Sequence, residues 1–561
     1  MGNDASADAA AASDLLTAAR EALARRAWDD AYRLFARADA ARKLAGADLE
    51  SFTEAARWSS RFAEVVELLE RAEAAYLTAG DVVAAGRVAL QCAVEHHMRG
   101  NMTVAVGCTL RARTLLEDQP ECRAHAFLEW CLGRATMEQG NYSRSRGHLE
   151  AAFAIARRHH DRDVEALTKH DLGHMAIAEG RPEEGQAMVD EAVALALSGA
   201  LRRNVAGIIY CGTIWACRNR GDLQRAAEWT EVSTRWCARE EVSGFPGLCR
   251  AHRAEILRLH GDLDSAEREA SAAGEELRTA YPAMAGFAWR EIGDARLRRG
   301  DLKGAAEAYR ETIAFGTDPQ PGLALLRLFE GNAEAARRTL QPSIASEQYL
   351  VRSNKPYVLP TWTTILLACN DVAGARAAVE ELDALAATLG TQTVAASAVC
   401  ARGELALAEG RHDDALQSLR HAWQIWCDSD LPYEAARARV LLADAHAAMG
   451  DADAARLERE AARQVYDRLG ARRDAQLVAE RLARASAAAS DLRDAGEQRV
   501  RATFVFTDIV GSTALVEAMG DEAWGYLRLW HDRALRACFA QHRGEEIDHT
   551  GDGFFVSFAK P

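Results

Sequence analysis

The stretch VAASAVCARGELALAEGRHDDALQSLRHAWQIW, residues 394–426, contains two helical patterns separated by one glycine. Apolar residues before Gly410 recur at steps of three and four, as one face of a helix requires, and those after it do the same. The stretch therefore predicts a helical hairpin that turns at Gly410. A single hairpin cannot bury both of its apolar faces, so the pattern also predicts neighbours of the same kind.

The same pattern recurs along most of the chain, at a spacing close to 40 residues. Turn positions fall at Gly100, Gly140, Gly180, Gly221, Gly261, Gly300, Gly331, Asn370, Gly410 and Gly450. A small residue follows each turn by five positions, at Ala105, Ser145, Gly185, Ala226, Ala266, Ala305, Ala336, Ala375, Ala415 and Ala455. Another small residue precedes several turns by seven, at Gly133, Gly173, Ala254, Gly293, Gly403 and Ala443, as close helix crossings need. The shorter step before Gly331 contains Asp318-Pro319-Gln320-Pro321, which predicts a turn that interrupts the array.

We therefore expect a mainly α protein, with a disordered N-terminus at 1–13 and a right-handed α-solenoid over 14–485. The pattern resembles tetratricopeptide repeats of the long kind found in large bacterial regulators. This resemblance implies a concave groove that binds a protein or peptide partner, and a purely structural spacer is the alternative. Nothing in the repeats supplies catalytic chemistry.

The C-terminal stretch has a different pattern. Arg501 to Phe506 is a β-branched and aromatic run that predicts a strand, and Asp508 follows at its end. The turn Gly511-Ser512-Thr513 then opens a short helix that Gly520 closes. A helix start of this kind presents backbone N–H groups that can hold a phosphate, and the neighbouring carboxylate can hold Mg²⁺.

A second carboxylate follows on a predicted hairpin. Asp552-Gly553 lies between two strand-like runs, Glu545–Asp548 and Phe554–Phe558, and Asp-Gly favours a tight turn. The hairpin would bring Asp552 back toward Asp508, where the pair could bind two metal ions on a triphosphate.

At FTDIVGST, residues 506–513, and TGDGF, residues 550–554, the chain resembles the class III adenylate/guanylate cyclases. The resemblance covers about 501–561 and implies the first part of an α/β, ferredoxin-like catalytic domain behind a linker at 486–500. It implies formation of cAMP or cGMP and pyrophosphate from ATP or GTP, with two Mg²⁺ or Mn²⁺ ions. The metal ligands that it implies are Asp508, Asp552 and the carbonyl of Ile509. The implied phosphate-binding backbone is that of Val510, Gly511, Ser512 and Thr513.

Two features depart from the family pattern. Asp548 stands where adenylate-forming members usually have a lysine that reads adenine; an acidic acceptor could instead accept from guanine N1–H and its amine. A solvated hairpin residue is the alternative for Asp548. Family members also complete the site with an Asn and an Arg further on, usually from a second cyclase subunit, whereas this sequence stops at Pro561. We therefore expect a truncated cyclase polypeptide that is inactive alone.

The composition indicates the compartment in which the protein works and the classes of partner that it does not bind. A net charge of −15 argues against generic binding to nucleic acid or an anionic membrane. The 12 cysteines are scattered without a C-x-x-C pair, which is typical of buried thiols in a reducing compartment. The sequence has no evident signal peptide or membrane span, so we expect a cytoplasmic protein. Two functions fit: a nucleotide cyclase regulated through a repeat solenoid, and a non-catalytic tetratricopeptide-type interaction or signalling protein with a remnant cyclase segment.

Overall fold

The computed structural model describes residues 2–239, 246–346, 354–494, 503–550 and 553–558. The chain divides into two compact units, Met1–Leu482 and Ala483–Pro561. The helices that begin in the first unit are α1 Gly2–Ala24, α2 Trp28–Ala41, α3 Gly46–Trp58, α4 Phe62–Ala79, α5 Val82–Met98, α6 Met102–Leu116, α7 Arg123–Glu138, α8 Tyr142–Arg158, α9 Arg162–Ala178, α10 Pro182–Leu197, α11 Arg203–Asn219, α12 Leu223–Arg239, α13 Pro246–Leu259, α14 Leu263–Ala280, α15 Pro282–Arg299, α16 Leu302–Ala314, α17 Gly322–Phe329, α18 Ala333–Ala345, α19 Lys355–Ala368, α20 Val372–Leu389, α21 Gln392–Ala408, α22 His412–Asp428, α23 Pro432–Ala448, α24 Ala452–Leu469 and α25 Arg472–Asp494.

These helices form hairpins whose turns lie where the sequence predicts them. Gly410 joins α21 to α22 with φ of 77°, a left-handed conformation that glycine adopts without strain. Asn370 has φ of 59° and takes the same role between α19 and α20. Asparagine is one of the few other residues that tolerate this conformation, which explains why it fills the gap in the glycine series. The first unit is a helical repeat solenoid.

The small residues mark close helix crossings. A Cβ atom on Gly403 of α21 would lie 2.6 Å from Cγ of Leu419 on α22, and one on Gly133 of α7 would lie 2.8 Å from Cδ2 of Leu149 on α8. Ala415, five residues after its turn, is fully buried. The predicted spacing is therefore a packing requirement, because a larger side chain at these positions has no space.

Two stretches differ from the regular repeat. Helix α17 spans only Gly322–Phe329, which accounts for the short step before Gly331. The turn predicted at Asp318-Pro319-Gln320-Pro321 lies directly before α17. At the N-terminus, α1 begins at Gly2, so the backbone of 2–13 is helical where the sequence predicted disorder. Helix α25 continues to Asp494 and enters the predicted linker.

The solenoid of the first unit also contacts itself over long sequence separations. Helix α4 packs against α14, and α9 packs against α20. The rings of Phe62 and Tyr281 lie 5.6 Å apart, and the Arg298 guanidinium is 2.9 Å from the Glu434 carboxylate. Repeats about 140 to 220 residues apart therefore touch, and this brings inner surfaces of the solenoid together.

The second unit contains a small antiparallel sheet. Its elements are β1 Thr503–Thr507, α26 Ser512–Met519, α27 Asp521–Gln541, β2 Gly544–Thr550 and β3 Gly553–Phe558, and the strand order is β1-β3-β2. Phe539 of α27 packs edge-on against Phe554 of β3, with ring centroids 5.4 Å apart. The predicted strand, short helix and hairpin are present. Within the described residues, however, the sheet has three strands, which is fewer than the ferredoxin-like domain implied by the resemblance would contain.

Candidate functional sites

Buried ion pairs connect the inner helices of the solenoid. Arg218 of α11 lies 2.6 Å from Glu255 of α13, and Arg258 of α13 lies 2.8 Å from Glu291 of α15. Burial raises the pKa of Glu255, but Arg218 and the neighbouring arginines lower it more, to about 2. For Arg258, burial lowers the pKa, whereas Glu291 and the other acidic groups raise it above its usual range. The arginines therefore stabilise the charged form of Glu255, whereas burial raises the pKa of Glu291 in spite of Arg258.

The same ion pairs reach across the inside of the solenoid. The Arg258 guanidinium lies 3.3 Å from the hydroxyl of Tyr357 on α19, and Arg218 lies 3.3 Å from the side-chain oxygen of Asn354. Inner helices of separate repeats are therefore joined through polar contacts. Among the described residues, these contacts join α11 to Asn354 and α13 to α19.

A cavity of about 430 Å³ remains inside the earlier repeats. It lies between α3, α5, α7, α9 and α11, with α12 contributing at one side. This volume falls within the range of small-ligand and peptide-side-chain pockets in proteins. We refer to this space as the inner cavity.

Aromatic side chains form much of the wall of the inner cavity. The four aromatic residues of the lining are Trp58, Phe127, Trp130 and Trp236. Phe127 and Trp130 stack with ring centroids 5.6 Å apart, and the Trp130 indole N–H donates to Asp171 at 2.8 Å. Trp130 is thereby held in one orientation. Large rigid aromatic groups give such a wall substantial contact area at a small cost in side-chain entropy.

Charged groups complete the lining of the inner cavity. It includes five arginines, Arg26, Arg57, Arg202, Arg203 and Arg239, and three glutamates, Glu50, Glu54 and Glu95. Arg57 pairs with the buried Glu95. Burial lowers the pKa of Arg57, and Glu95 with Tyr281 raises it above its ordinary value. Arginines outnumber glutamates in this lining although the chain as a whole is acidic, and Arg202 and Arg203 pair with Asp163 and Glu54.

A second candidate site lies at the end of β1 in the second unit. Thr507, the last residue of β1, is paired with Phe554, the second residue of β3, and the Phe554 N–H donates to the Thr507 hydroxyl at 3.1 Å. A Cβ on Gly553 would meet the Thr507 carbonyl and lie 3.7 Å from Cα of Asp508. Only glycine fits there. The start of β3 is therefore in contact with the backbone of Asp508, as the sequence predicts for the hairpin.

The structure describes most of the residues that the cyclase resemblance implies. Asp508 is exposed, Ile509 is half-buried and Val510 is 94% exposed. Gly511 has φ of 70° and precedes α26, which begins at Ser512. Asp552 lies outside the described residues, and for Thr513 only the helical backbone is described. The predicted joint binding of metal by Asp508 and Asp552 thus remains a prediction.

Asp548 and His549 lie on opposite faces of the sheet. Asp548 is exposed and pairs with Phe555, in the same row as Phe506 of β1. Its carboxylate accepts the His549 backbone N–H at 2.9 Å. Asp548 therefore lies on the face away from α27, with its carboxylate accessible to solvent. This placement is compatible with both sequence interpretations, base contact and a solvated hairpin residue.

His549 faces α27, where its ring lies 3.3 Å from the Asp532 carboxylate. This contact accounts for the placement of the His549 side chain, so no role as a ligand is needed to explain it.

Comparisons with protein-family models and with curated proteins found no match for this chain. Among solved structures, the crystal structure of the APC/C hetero-tetramer Cut9-Hcn1 matches 83% of this chain and 96% of that chain, with 12% sequence identity and a TM-score of 0.36. At that similarity we transfer neither fold nor function from it. None of these comparisons supports the class III cyclase domain that the two short sequence motifs imply.

The described residues contain neither a membrane-spanning helix nor a metal-binding cluster of side chains. None of the helices there is long and apolar enough to cross a membrane. Across the same residues, no group of three or more His, Cys, Asp or Glu side chains is arranged to hold a metal ion. Asp552 is not among these residues, so the metal site predicted at Asp508 and Asp552 stays a prediction.

The inner ion pairs were not predicted, although the sequence contains a signal for them. Arg218, Arg258 and Arg298 recur at 40-residue spacing, two or three positions before the turn glycines. An arginine at a fixed place in successive repeats lies on the same face of each first helix. That periodicity indicates a line of charges along the inner surface.

Proposed function

We propose that the chain is an interaction scaffold that binds an acidic, aromatic or aliphatic peptide segment of a partner protein in the inner cavity. The cavity lining carries the proposal, because it joins four large aromatic side chains to an excess of arginine over glutamate. Aromatic and arginine side chains are the residues that dominate peptide and protein interfaces. A peptide with one apolar side chain beside Asp or Glu matches both features.

The test uses selection of short displayed peptides on the purified chain, followed by binding measurements on single variants. Ile208 lines the inner cavity and is half-buried, so Ile208→Arg places a bulky cation in the space that the peptide needs. We expect Kd to rise by about tenfold or more, equivalent to about 1.4 kcal/mol. The matched control is Ile313→Arg, because Ile313 is 52% exposed on α16, away from the cavity.

Salt dependence provides a second criterion. Arginine contacts with an acidic peptide weaken as ionic strength rises, whereas purely apolar burial does not. Peptides that bind equally well to the Ile208→Arg variant, or selection that yields no acidic residues, would contradict this assignment of the site.

We also propose a second function, nucleotide cyclase chemistry in the C-terminal segment, for which one observation is favourable. The contact between Gly553 and the Thr507–Asp508 backbone supports a shared position for the ends of β1 and of the β2–β3 hairpin. Carboxylate and carbonyl oxygens are the ligands that Mg²⁺ and Mn²⁺ prefer, so Asp508, Ile509 and Asp552 fit these ions. Bound cations supply charge neutralisation for attack of a ribose 3′-oxygen on the α-phosphate with loss of pyrophosphate. The Val510–Thr513 backbone would hold the phosphates, and Asp548 would face guanine.

Metal binding and turnover test this second function separately. Asp508→Asn and Asp552→Asn should each weaken Mn²⁺ binding, measured by calorimetry, by more than about tenfold. Asp453→Asn is the control, because the Asp453 side chain is 93% exposed on α24. Incubation with ATP or GTP and Mn²⁺, with and without a complete class III cyclase subunit, then shows whether cyclic nucleotide forms. Absence of product in both mixtures contradicts the cyclase proposal and leaves the scaffold proposal intact.

A further inference from the structure

Three cysteines from three consecutive helices meet inside the solenoid. Cys211 lies on α11, Cys237 on α12 and Cys249 on α13. The sulfur atoms of Cys237 and Cys249 are 3.4 Å apart. Cys237 is 8% exposed and Cys249 is 5% exposed, so the two thiols share a nearly closed site in one hydrophobic core cluster.

The polar surroundings of this cluster differ from those of a thiol that only fills space. The sulfur atoms of Cys237 and Cys249 are within hydrogen-bonding distance, and either thiol can be the donor. Hydrogen bonding with the Cys211 and Cys237 thiols lowers the pKa of Cys249. The same hydrogen bonds, together with burial, raise the pKa of Cys211 and Cys237. Cys249 is therefore the thiol best placed to lose its proton, and the thiolate is the reactive form of cysteine.

We propose that Cys237 and Cys249 form a reversible disulfide that links α12 to α13. A disulfide has an S–S length of about 2.0 Å, so the two sulfurs need to approach by about 1.4 Å from their present separation. The fold favours this disulfide because it places the two thiols, which are 12 positions apart in sequence, next to each other.

The oxidant is a hydroperoxide, and the reaction proceeds in two steps. The Cys249 thiolate attacks one peroxide oxygen, the O–O bond breaks, and the sulfur becomes a sulfenic acid with release of water or alcohol. The Cys237 sulfur then attacks the sulfenic sulfur, the S–S bond forms, and a second water leaves with the Cys237 proton. Two thiols thus give two electrons to one peroxide. A dithiol reductant reverses the reaction by exchange.

The linked helices contribute to the inner cavity. Trp236, next to Cys237, and Arg239 both belong to its lining. The disulfide would fix the end of α12 that carries them. The disulfide itself does not depend on the peptide-binding proposal, because its formation is measured directly.

The experiment treats the full chain, carrying Cys427→Ser and Cys538→Ser, with a small excess of hydrogen peroxide. These two exposed cysteines are removed because they could join separate chains. After alkylation of the remaining thiols, peptide mapping by mass spectrometry should identify a Cys237–Cys249 cross-link that dithiothreitol removes. Cys237→Ser or Cys249→Ser should abolish it. Cys400→Ser, a change at a buried cysteine of another repeat, should leave its yield unchanged.

Two results would overturn the inference. One is a disulfide that joins Cys211 to Cys249 in place of the predicted pair. The other is complete recovery of Cys237 and Cys249 as free thiols from the native chain, under conditions that oxidise both after unfolding in urea. Because the primary measurement is on the chain with all three cluster cysteines, poor folding of a serine variant does not affect it.

Discussion

Removal of Arg258 should destabilise the solenoid more than removal of Arg258 together with its partner. The side chains of Arg258 and Glu291 are each only 3% exposed, and they lie 2.8 Å apart. Arg258→Met would leave the Glu291 carboxylate buried without its main cation. Loss of one member of a buried pair costs about 3–5 kcal/mol, whereas replacement of both by apolar groups is often close to neutral.

The double variant Arg258→Met, Glu291→Leu should therefore recover most of this loss. Arg258 also contacts the hydroxyl of Tyr357 at 3.3 Å and lies 3.8 Å from Asp294. The Tyr309 hydroxyl donates to Asp294 at 2.7 Å, so that carboxylate retains one partner in the variant. We expect the double variant to lie within about 1–2 kcal/mol of the original chain, which is the cost of one or two lost hydrogen bonds.

The pH dependence of the single variant follows from the same geometry. Burial already raises the pKa of Glu291 above its ordinary value of 4.5, and loss of Arg258 removes an opposing influence. A group whose pKa is higher in the folded state stabilises the fold below its unfolded pKa, and this contribution is lost as pH rises through the folded value. Arg258→Met should thus be least harmful near pH 5 and most harmful near pH 8.

Urea unfolding at several pH values measures the overall change, and hydrogen exchange measures the change within α13 and α15. Both are needed because long repeat arrays can unfold in parts. Equal stability of the single and double variants would refute the reasoning, since it would mean that Glu291 gains nothing from Arg258. A single variant that is unaffected by pH would refute the assignment of the cost to a buried charge.

Three other changes test separate parts of the structure. Gly403→Leu should overpack the α21–α22 crossing and lower the free energy of unfolding by about 1–3 kcal/mol, whereas Gly107→Leu, at a site with open space, should cost much less. Thr507→Val removes the hydroxyl that accepts from Phe554 and should lower the stability of the second unit by about 1 kcal/mol in hydrogen exchange. The pKa of Glu255 is about 2 in the folded state, so its contribution to the free energy of unfolding is complete above pH 4.5 and is lost as the pH falls toward 2. In the Glu255→Gln variant, the free energy of unfolding should therefore change less with pH over this range.

Sequence periodicity predicted the local geometry of the solenoid well. The turn at Gly410, the turn at Asn370 and the close crossing at Gly403 all depend on residues within one repeat. A left-handed turn or a close helix contact restricts which residues fit, so the restriction is visible in the sequence. The antiparallel pairing of β2 with β3 agrees with the predicted hairpin, although Gly553 pairs with Thr550 and therefore belongs to the strand.

Contacts between distant repeats were not predictable in this way. Arg298 and Glu434 are 136 positions apart, and Arg258 and Tyr357 are 99 apart. Which inner surfaces meet depends on small rotations between successive repeats, which add up over the array. No single repeat encodes that sum. The inner cavity likewise depends on how α3 and α11 approach each other, so its lining could not be assembled from the sequence.

These distant contacts determine where a partner can bind. A peptide inserted between α13 and α19 would have to separate Arg258 from Tyr357 and disturb the Arg258–Glu291 pair, and each unpaired buried charge costs several kcal/mol. A peptide in the inner cavity mainly displaces solvent and can meet arginine and aromatic groups that already line the wall. The proposed binding of a peptide is therefore energetically more favourable in the inner cavity than between α13 and α19, although repeat patterns of the same kind continue to Leu469.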